Sequence, residues 1–196
     1  MKVTIHQPEH FPYMGFFEKM KEADIFVVLD NVKFRKNYFQ NRNKFKNSQG
    51  VDEWFGVSVP KKSSSKLIKE ITTVEDSINN WRKKVITKLK YSFNYDFSDV
   101  YTGDSLIDIN MRSIQWARKI LNIENRIVYA SDLAATGSKS ELLSNICKEL
   151  NASTYISGPS GRDYLDLSLF SNIKVEFFHP KVENYYSCVY NLIKTD

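Results

Sequence analysis

His6 occupies the position in this chain of 196 residues that best suits acid–base chemistry. It follows the β-branched residues 3–5, which are typical of a buried strand, and it precedes Gln7 and Pro8. Proline lacks a backbone N–H and restricts the residue before it, so the strand must end at this point. Because an imidazole titrates near neutral pH, His6 suits the role of a general base or a hydrogen-bond partner for a ligand. The alternative is a histidine that only fixes the loop.

Asp30 is the second candidate for chemistry, since it follows a continuously apolar segment at residues 25–29. Such a segment is typical of a strand that is covered on both faces in a parallel sheet. Neighbouring strands lie ~4.8 Å apart, and we therefore expect Asp30 to come within reach of His6. There it would orient the imidazole or bind a sugar hydroxyl, unless it only caps a turn.

Gln40, Asn41 and Arg42 place two amides and a guanidinium in a row in an otherwise hydrophobic strand. An arginine can bind a phosphate or a carboxylate through two parallel hydrogen bonds. Side chains of this kind seldom serve packing alone when they are adjacent in the sequence. We predict that these three residues contact a ligand.

A loop with the sequence Ser157-Gly158-Pro159-Ser160-Gly161 also follows a predicted strand. Its glycines permit close backbone approach, and its hydroxyls and backbone N–H groups can donate hydrogen bonds to an anion or a sugar. The loop is neither a P-loop nor a G-x-G-x-x-G motif, and ordinary turn chemistry is the alternative. We include Ser157, Gly158 and Ser160 among the candidate substrate-binding residues.

Strands that alternate with helices must position these residues. We predict core strands starting near residues 2, 25, 126, 153 and 173, with helices over about 76–93, 104–121 and 139–150, the last opened by a capping box at Ser138 and Glu141. This pattern predicts an α/β, Rossmann-like fold: a mainly parallel sheet flanked by helices. We expect one domain, 1–196, with an insertion at about 31–72. The insertion would carry an antiparallel β-hairpin, with strands near 38–46 and 53–59, and a further short strand at 67–72.

Composition limits the classes of protein that remain. The hydrophobic content of 42% indicates a globular chain, and the net charge is +5. Six of the basic residues lie between Val32 and Lys46, where there is no acid. This excess would suit a phosphate-bearing ligand, an acidic carrier protein or nucleic acid, or it is a solvated face. With no long apolar run, no signal peptide and no CxxC motif, we expect a cytoplasmic protein without a membrane span or structural zinc, and we interpret Cys147 as a core residue.

Several motifs, in their order along the chain, resemble the WbqC-like family. The N-terminal ones are His6-Gln7-Pro8, Phe11-Pro12, Gly15, Ala23-Asp24, Phe26-Val27 and Leu29-Asp30. The later ones are Asn41-Arg42-Asn43, Trp54, Val57-Ser58-Val59-Pro60, Tyr155-Ile156-Ser157-Gly158-Pro159-Ser160 and Tyr164-Leu165-Asp166. On this basis Pro8, Tyr13 and Tyr164, which lie within these segments, join the candidate substrate-binding residues.

The resemblance implies a transferase of surface-polysaccharide (O-antigen) biosynthesis that acylates or aminoacylates the amine of a nucleotide-linked amino sugar. His6 would then be the base, and Asp30 would orient it or hold a sugar hydroxyl. Gln7, Asn41 and Arg42 would bind the donor or the nucleotide-sugar phosphate, and the Ser157–Ser160 loop would bind the acceptor. The implied donor is an acyl thioester of coenzyme A or of an acyl carrier protein. We expect no tightly bound cofactor, no metal and no nucleic-acid partner.

A weaker likeness to the nucleotidylyltransferase superfamily concerns the first strand, loop and helix. In that likeness Tyr13 and Phe16 stand where two catalytic histidines belong, so adenylyl transfer is not expected. A glycosyltransferase with a nucleotide-sugar donor is an alternative, although the chain lacks a clear Asp-x-Asp metal motif. The non-enzymatic alternative is a carrier- or nucleic-acid-binding module built on the basic hairpin.

Overall fold

A computed structural model of the chain describes residues 1–193. The strands and helices, in chain order, are β1 (Lys2–His6), α1 (Met14–Lys21), β2 (Ile25–Val28), β3 (Arg42–Lys46), β4 (Asp52–Gly56), α2 (Asp76–Asn79), α3 (Trp81–Phe93), α4 (Leu106–Ile120), β5 (Arg126–Tyr129), α5 (Lys139–Glu149), β6 (Thr154–Ser157), β7 (Lys174–Phe177) and α6 (Cys188–Leu192). No helix within the described residues has both the length and the apolar character needed to cross a bilayer.

The chain divides into two compact units, neither of which is one continuous segment. We call the first the sheet unit; it comprises residues 1–7, 15–30 and 123–183. We call the second the hairpin unit; it comprises residues 8–14 and 31–122 and resumes at residue 184. The predicted insertion at 31–72 therefore falls within a longer segment of the hairpin unit.

The sheet unit contains five parallel strands in the order β5-β2-β1-β6-β7. β2 is buried along its whole length, as its continuous apolar sequence predicts. In the β1–β2 register His6 pairs with Val28, and the Leu29 N–H donates to the His6 carbonyl at 2.8 Å. The predicted α/β class and the five predicted strand positions are confirmed.

The predicted capping box at the start of α5 is wrong. The Ser138 side chain makes no capping hydrogen bond, and only its backbone carbonyl accepts from the Glu141 N–H, at 3.1 Å. Lys139 has a φ of 52°, so the chain turns through the left-handed region directly after the serine. By contrast, α4 begins as predicted, because the Ser105 hydroxyl accepts from the Asp108 N–H.

The hairpin unit contains the predicted antiparallel pair β3–β4, in which Lys44 lies opposite Trp54. Its turn is held by Asn47, whose side-chain oxygen accepts from the N–H groups of Gln49 and Val51 at 3.0 Å each. Gly50 supplies the positive φ, 77°, that the turn requires. The sequence Asn-Ser-Gln-Gly thus forms the connection expected between two strands.

Two other predictions for the hairpin unit are wrong. Residues 67–72 do not form a strand; Ile68–Glu70 is a 3₁₀ turn, and the buried side chains Ile68 and Ile71 are spaced by three residues rather than two. The single helix predicted over 76–93 is divided into α2 and α3 because Asn80 adopts a left-handed conformation, with a φ of 56°.

Candidate functional site at the sheet edge

The strand order identifies the edge of the sheet unit where a ligand would bind. From the centre of the sheet the chain proceeds outward through β2 and β5 on one side and through β6 and β7 on the other. The order therefore reverses between β1 and β6, and open α/β sheets bind ligands outside the carboxyl ends of their strands at such a point. His6 ends β1 and Ser157 ends β6. The fold thus brings two predicted site residues to the same edge of the sheet, at the ends of neighbouring strands.

The imidazole of His6 has a defined hydrogen-bonding state. Its Nδ1 lies 3.0 Å from the Gln7 carbonyl oxygen. A carbonyl can only accept, so Nδ1 carries the proton and Nε2 holds the lone pair in the neutral ring. Phe16 packs edge-on against the same ring, with centroids 4.9 Å apart. Gln7 thus acts here through its backbone, and Phe16 fixes the plane of the imidazole.

Burial, with a smaller contribution from the positive charge of Lys19, lowers the pKa of His6 to about 3. The imidazole is consequently neutral at pH 7 and has an available lone pair. Lys19 is a functional neighbour that the sequence analysis missed, and it is only 5% exposed. The available signal was a lysine among the buried Phe16, Phe17 and Met20 of α1.

Asp30 is buried at the end of β2, and both of its oxygens bind Ser131. Oδ1 accepts from the Ser131 N–H at 2.9 Å, and Oδ2 accepts from the Ser131 hydroxyl at 2.6 Å. Among the described residues, the hydrogen bonds assigned to Asp30 and His6 do not join the two side chains. Asp30 therefore fastens the end of β2 to the turn that follows β5, and Ser131 is a residue that the sequence analysis did not single out.

The loop after β6 combines a packed base with an open tip. Ser157 is 1% exposed, and a Cβ added at Gly161 would lie 2.1 Å from its hydroxyl oxygen. At Gly158, in contrast, an added Cβ would meet nothing within 4 Å. Ser160 is exposed, and Tyr164 is 58% exposed. The tip of the loop is accessible to a ligand, while Ser157 belongs to the packed base.

Gln40 and Asn41 are buried in the hairpin unit, where their side chains bind backbone groups. The Gln40 side-chain oxygen accepts from the Arg35 N–H at 2.7 Å. The Asn41 side chain accepts from the Asn37 N–H at 3.0 Å and donates to the Val57 carbonyl at 3.2 Å. These hydrogen bonds shape the turn that leads into β3. Arg42 differs, since its guanidinium lies over the exposed Trp54 ring, 4.3 Å from the ring centroid.

A buried polar network holds the segment that contains Pro8 in the hairpin unit. Asn110 donates to the carbonyls of Pro8 and Gln40 at 3.1 and 2.7 Å. His10 lies between Asn110 and Tyr101, with contacts of 3.2 and 3.0 Å, and burial lowers its pKa to about 3. His10 is therefore a neutral core residue. Tyr13, the other candidate in this segment, lies beside Tyr185, with ring centroids 5.5 Å apart.

A groove of about 1590 Å³ in the hairpin unit was not predicted from the sequence. It lies between the hairpin and α3. Lysines contribute most of its charge, with one acid among the lining residues, Glu53; the lysines are Lys46, Lys83, Lys84 and Lys88. Lys88 lies 3.6 Å from the Glu53 carboxylate, and the other three are exposed.

Neither thiol is placed as a nucleophile. Cys147 and Cys188 are both buried and free. Burial raises the pKa of the Cys147 thiol to about 12, and it raises the pKa of Cys188 as well. Within residues 1–193, no group of three His, Cys, Asp or Glu side chains is arranged to hold a metal ion.

The five parallel strands, with helices around them and a separate antiparallel hairpin, define an α/β protein of Rossmann-like strand order. The model of the WbqC-like protein family matches residues 7–192, and the chain belongs to that family. His6 lies one residue before the matched range.

One curated protein is similar to this chain over most of its length, and its description gives no activity. The chain is 27% identical over 188 residues to a Mycobacterium tuberculosis protein described as "Uncharacterized protein Rv1507c", covering 89% of this chain and 79% of that protein. No solved structure matches the chain.

Proposed function

We propose that this protein is a transferase that acylates or aminoacylates the amine of a nucleotide-linked amino sugar for surface-polysaccharide synthesis. The observation that carries the proposal is the neutral His6 imidazole, with Nε2 as its acceptor nitrogen, at the point where the strand order reverses. Membership of the WbqC-like family agrees with it. The two buried free thiols are compatible with a reducing compartment such as the cytoplasm, where we place the reaction.

The proposed reaction needs a base because an amine must lose a proton as it becomes an amide. The nitrogen of the sugar attacks the carbonyl carbon of a thioester, a C–N bond forms and the C–S bond breaks. His6 Nε2 takes the proton from the nitrogen and returns it to the departing sulfur. Because burial and Lys19 disfavour the imidazolium, His6 would hold this proton only briefly.

The remaining candidates take binding roles in this proposal. The open tip of the loop, Gly158 to Ser160, binds the acceptor sugar together with Tyr164, and coenzyme A or an acyl carrier protein delivers the acyl group. Gln40 and Asn41 act indirectly, since their hydrogen bonds fix the backbone before Arg42. Pro8 is joined to Gln40 through Asn110, which donates to both carbonyls.

His6→Ala tests the proposal when paired with His179→Ala, which removes an exposed histidine from the same unit. Each variant is incubated with UDP- or dTDP-linked amino sugars and acyl- or aminoacyl-thioesters, and the products are identified by mass spectrometry. We expect His6→Ala to lower kcat about 10²–10⁴-fold and His179→Ala to leave it unchanged. A product with an added hexose would identify a glycosyltransferase instead, and equal turnover by both variants would remove His6 from the mechanism.

The lysine-lined groove favours a second candidate, a module that binds a polyanion such as nucleic acid. Its volume, about 1590 Å³, exceeds that of a typical small-molecule pocket, ~300–1,000 Å³. Binding of single-stranded oligonucleotides that weakens steeply with salt, and that is lost in Lys83→Gln/Lys84→Gln, would support this module. Absence of salt-dependent binding would exclude it.

A further inference from the structure

The carboxylates of the strand that pairs with β3 contact groups other than the Arg42 guanidinium. The two acids of the adjoining strand β4 are Asp52 and Glu53. Asp52 accepts from Lys44 at 2.6 Å and from the Tyr186 hydroxyl at 2.8 Å. Glu53 accepts from Asn47 at 2.8 Å and lies 3.6 Å from Lys88. Each hairpin carboxylate therefore has another cation or donor beside it, and neither is assigned to Arg42.

Among the described residues, none accepts a hydrogen bond from one buried nitrogen of the Arg42 guanidinium. Within the part of the chain that the structure describes, Arg42 Nε is buried and has no hydrogen-bond partner. A buried donor that lacks an acceptor costs free energy, because it has lost its hydrogen bonds to water. Arg42 as a whole is half-buried, so part of the residue is open to solvent.

Trp54 holds the guanidinium in a fixed plane. The Arg42 Cζ lies 4.3 Å from the centroid of the indole ring, a distance at which a cation and an aromatic face attract each other. Lys88 Nζ donates to the Trp54 carbonyl at 3.0 Å and so ties the backbone of the tryptophan to α3. Because the plane of the fork is preset, little conformational entropy is lost when a ligand binds.

Gly56 lies opposite Arg42 in the hairpin and allows this arrangement. A Cβ at Gly56 would lie 2.3 Å from the Asn41 carbonyl and 2.7 Å from the Arg42 Cα. The strands can approach this closely only because residue 56 has no side chain. The backbone of the hairpin therefore determines where Arg42 lies.

We propose that Arg42, stacked on Trp54, is a binding site for the phosphate groups of a ligand, with Trp54 as its positioning residue. A phosphate offers two adjacent oxygens, which accept hydrogen bonds from a guanidinium fork. The inference goes beyond the proposed function, since it gives the hairpin unit a phosphate-binding residue of its own. Phosphate binding is measured without turnover, so it can succeed or fail independently of the transferase reaction.

The test measures the affinity of the full chain for UDP, inorganic pyrophosphate and coenzyme A by calorimetry. We expect Arg42→Gln to weaken UDP binding about ten- to hundredfold, as for loss of hydrogen bonds to a charged group. Arg42→Lys keeps the charge but not the fork and should restore only part of the affinity. Trp54→Leu should weaken binding as well, while Trp54→Phe should retain most of it.

Lys69→Gln is the control, because Lys69 is an exposed lysine of the same unit and does not line the lysine-lined groove. It should change the affinity less than about twofold. Thermal unfolding of every variant establishes that it is folded before binding is measured. The proposal is overturned if Arg42→Gln binds UDP as well as the unsubstituted chain does, if Lys69→Gln loses as much affinity, or if the unsubstituted chain binds none of the three probes at millimolar concentration.

Comparison of the probes identifies the source of the phosphate. Stronger binding of UDP than of coenzyme A and pyrophosphate would assign Arg42 to the nucleotide sugar, and the reverse order of UDP and coenzyme A would assign it to the donor. UDP binding that requires Arg42 in a protein that shows no transfer would support the phosphate site while contradicting the transferase.

Discussion

Ser131 binds both carboxylate oxygens of Asp30, one through its backbone N–H at 2.9 Å and the other through its hydroxyl at 2.6 Å. The two residues follow β2 and β5, which are neighbours in the sheet. Asp30 is only 2% exposed, so this pair replaces most of the hydration that the carboxylate has in the unfolded chain. The relationship explains why a buried carboxylate is tolerated at this edge of the sheet.

Ser131→Ala should therefore lower the free energy of unfolding by about 1–3 kcal/mol, because it leaves one oxygen of a buried carboxylate without its donor. Urea denaturation at pH 7.5 measures this loss. Ser160→Ala is the comparison, since Ser160 is exposed in the same unit and should change the stability by less than about 0.5 kcal/mol. Equal stability of the two variants would contradict the role assigned to the Asp30–Ser131 pair.

Asn110→Ala should cause a larger loss, about 3 kcal/mol or more, because three buried groups lose a partner at once. These groups are the Pro8 carbonyl, the Gln40 carbonyl and the His10 Nδ1–H. Lys119→Ala on the same helix, at an exposed position, should be nearly neutral. If the stability of Asn110→Ala lies within about 1 kcal/mol of that control, the network does not hold the Pro8 segment.

The stability of the protein should fall as the pH is lowered from 7.5 to 5.0. The pKa of the buried His10 falls from 6.5 to about 3 on folding, so in this range the unfolded chain binds more protons than the folded one. Acid therefore favours unfolding; the stabilisation is complete above pH 6.5 and is lost progressively towards pH 3. His10 should account for about 2 kcal/mol between pH 6.5 and 5.0, and His6 adds to the loss in the same direction.

His10→Asn should reduce this pH dependence, whatever its effect on stability at pH 7.5. His179→Asn, at an exposed histidine, should leave the dependence as it was. Denaturation curves at three pH values between 5.0 and 7.5 measure both. An unchanged slope for His10→Asn would mean that the pKa of His10 is the same in the folded and unfolded chains, which would contradict the lowered pKa assigned to it.

Gly158→Ala and Gly161→Ala should separate ligand contact from packing in the loop after β6. An added Cβ meets nothing at Gly158 but collides with Ser157 at Gly161. We expect Gly158→Ala to unfold at the temperature of the unsubstituted chain and Gly161→Ala to unfold at a clearly lower one. If Gly158→Ala is stable yet binds the acceptor sugar more weakly, the ligand approaches the backbone there; unchanged binding would remove Gly158 from the site.

Thiol titration should show that Cys147 and Cys188 are inert in the folded chain. Burial raises the pKa of both thiols, so neither forms a thiolate at pH 8. A disulfide reagent should react slowly in buffer and should modify both residues rapidly in urea. Fast reaction of a thiol in the folded protein would contradict this interpretation.

The sheet could be predicted from the sequence because each of its strands is marked by its own apolar run. Residues 25–28, all buried, show this most clearly. The break at Asn80 could not be predicted, since asparagine is tolerated within helices and only the structure shows its left-handed φ of 56°. Residues 67–72 misled the prediction because a 3₁₀ turn with two buried isoleucines three residues apart resembles a short strand.

The sequence predicted that His6 and Asp30 follow neighbouring strands, but not which hydrogen bonds they make. The end of β1 identified His6, because Pro8 fixes where the strand must stop. The sequence could not show that Asp30 binds Ser131, since the two residues are about a hundred positions apart and meet only when β2 pairs with β5. Arg42 was recognised as a ligand candidate from its residue type, whereas its stacking on Trp54 depends on the register of the hairpin.

The chain passes between the two units five times, which has a consequence for how the protein is made. When the ribosome has synthesised β1 and β2, their outer neighbours β6 and β5 lie about a hundred residues or more further along the chain. The outer edges of β1 and β2 therefore stay unpaired while residues 31–122 are synthesised. Any single cut between residues 31 and 122 divides both units, so neither fragment contains a complete unit. The two units therefore have to be inherited and synthesised as one chain.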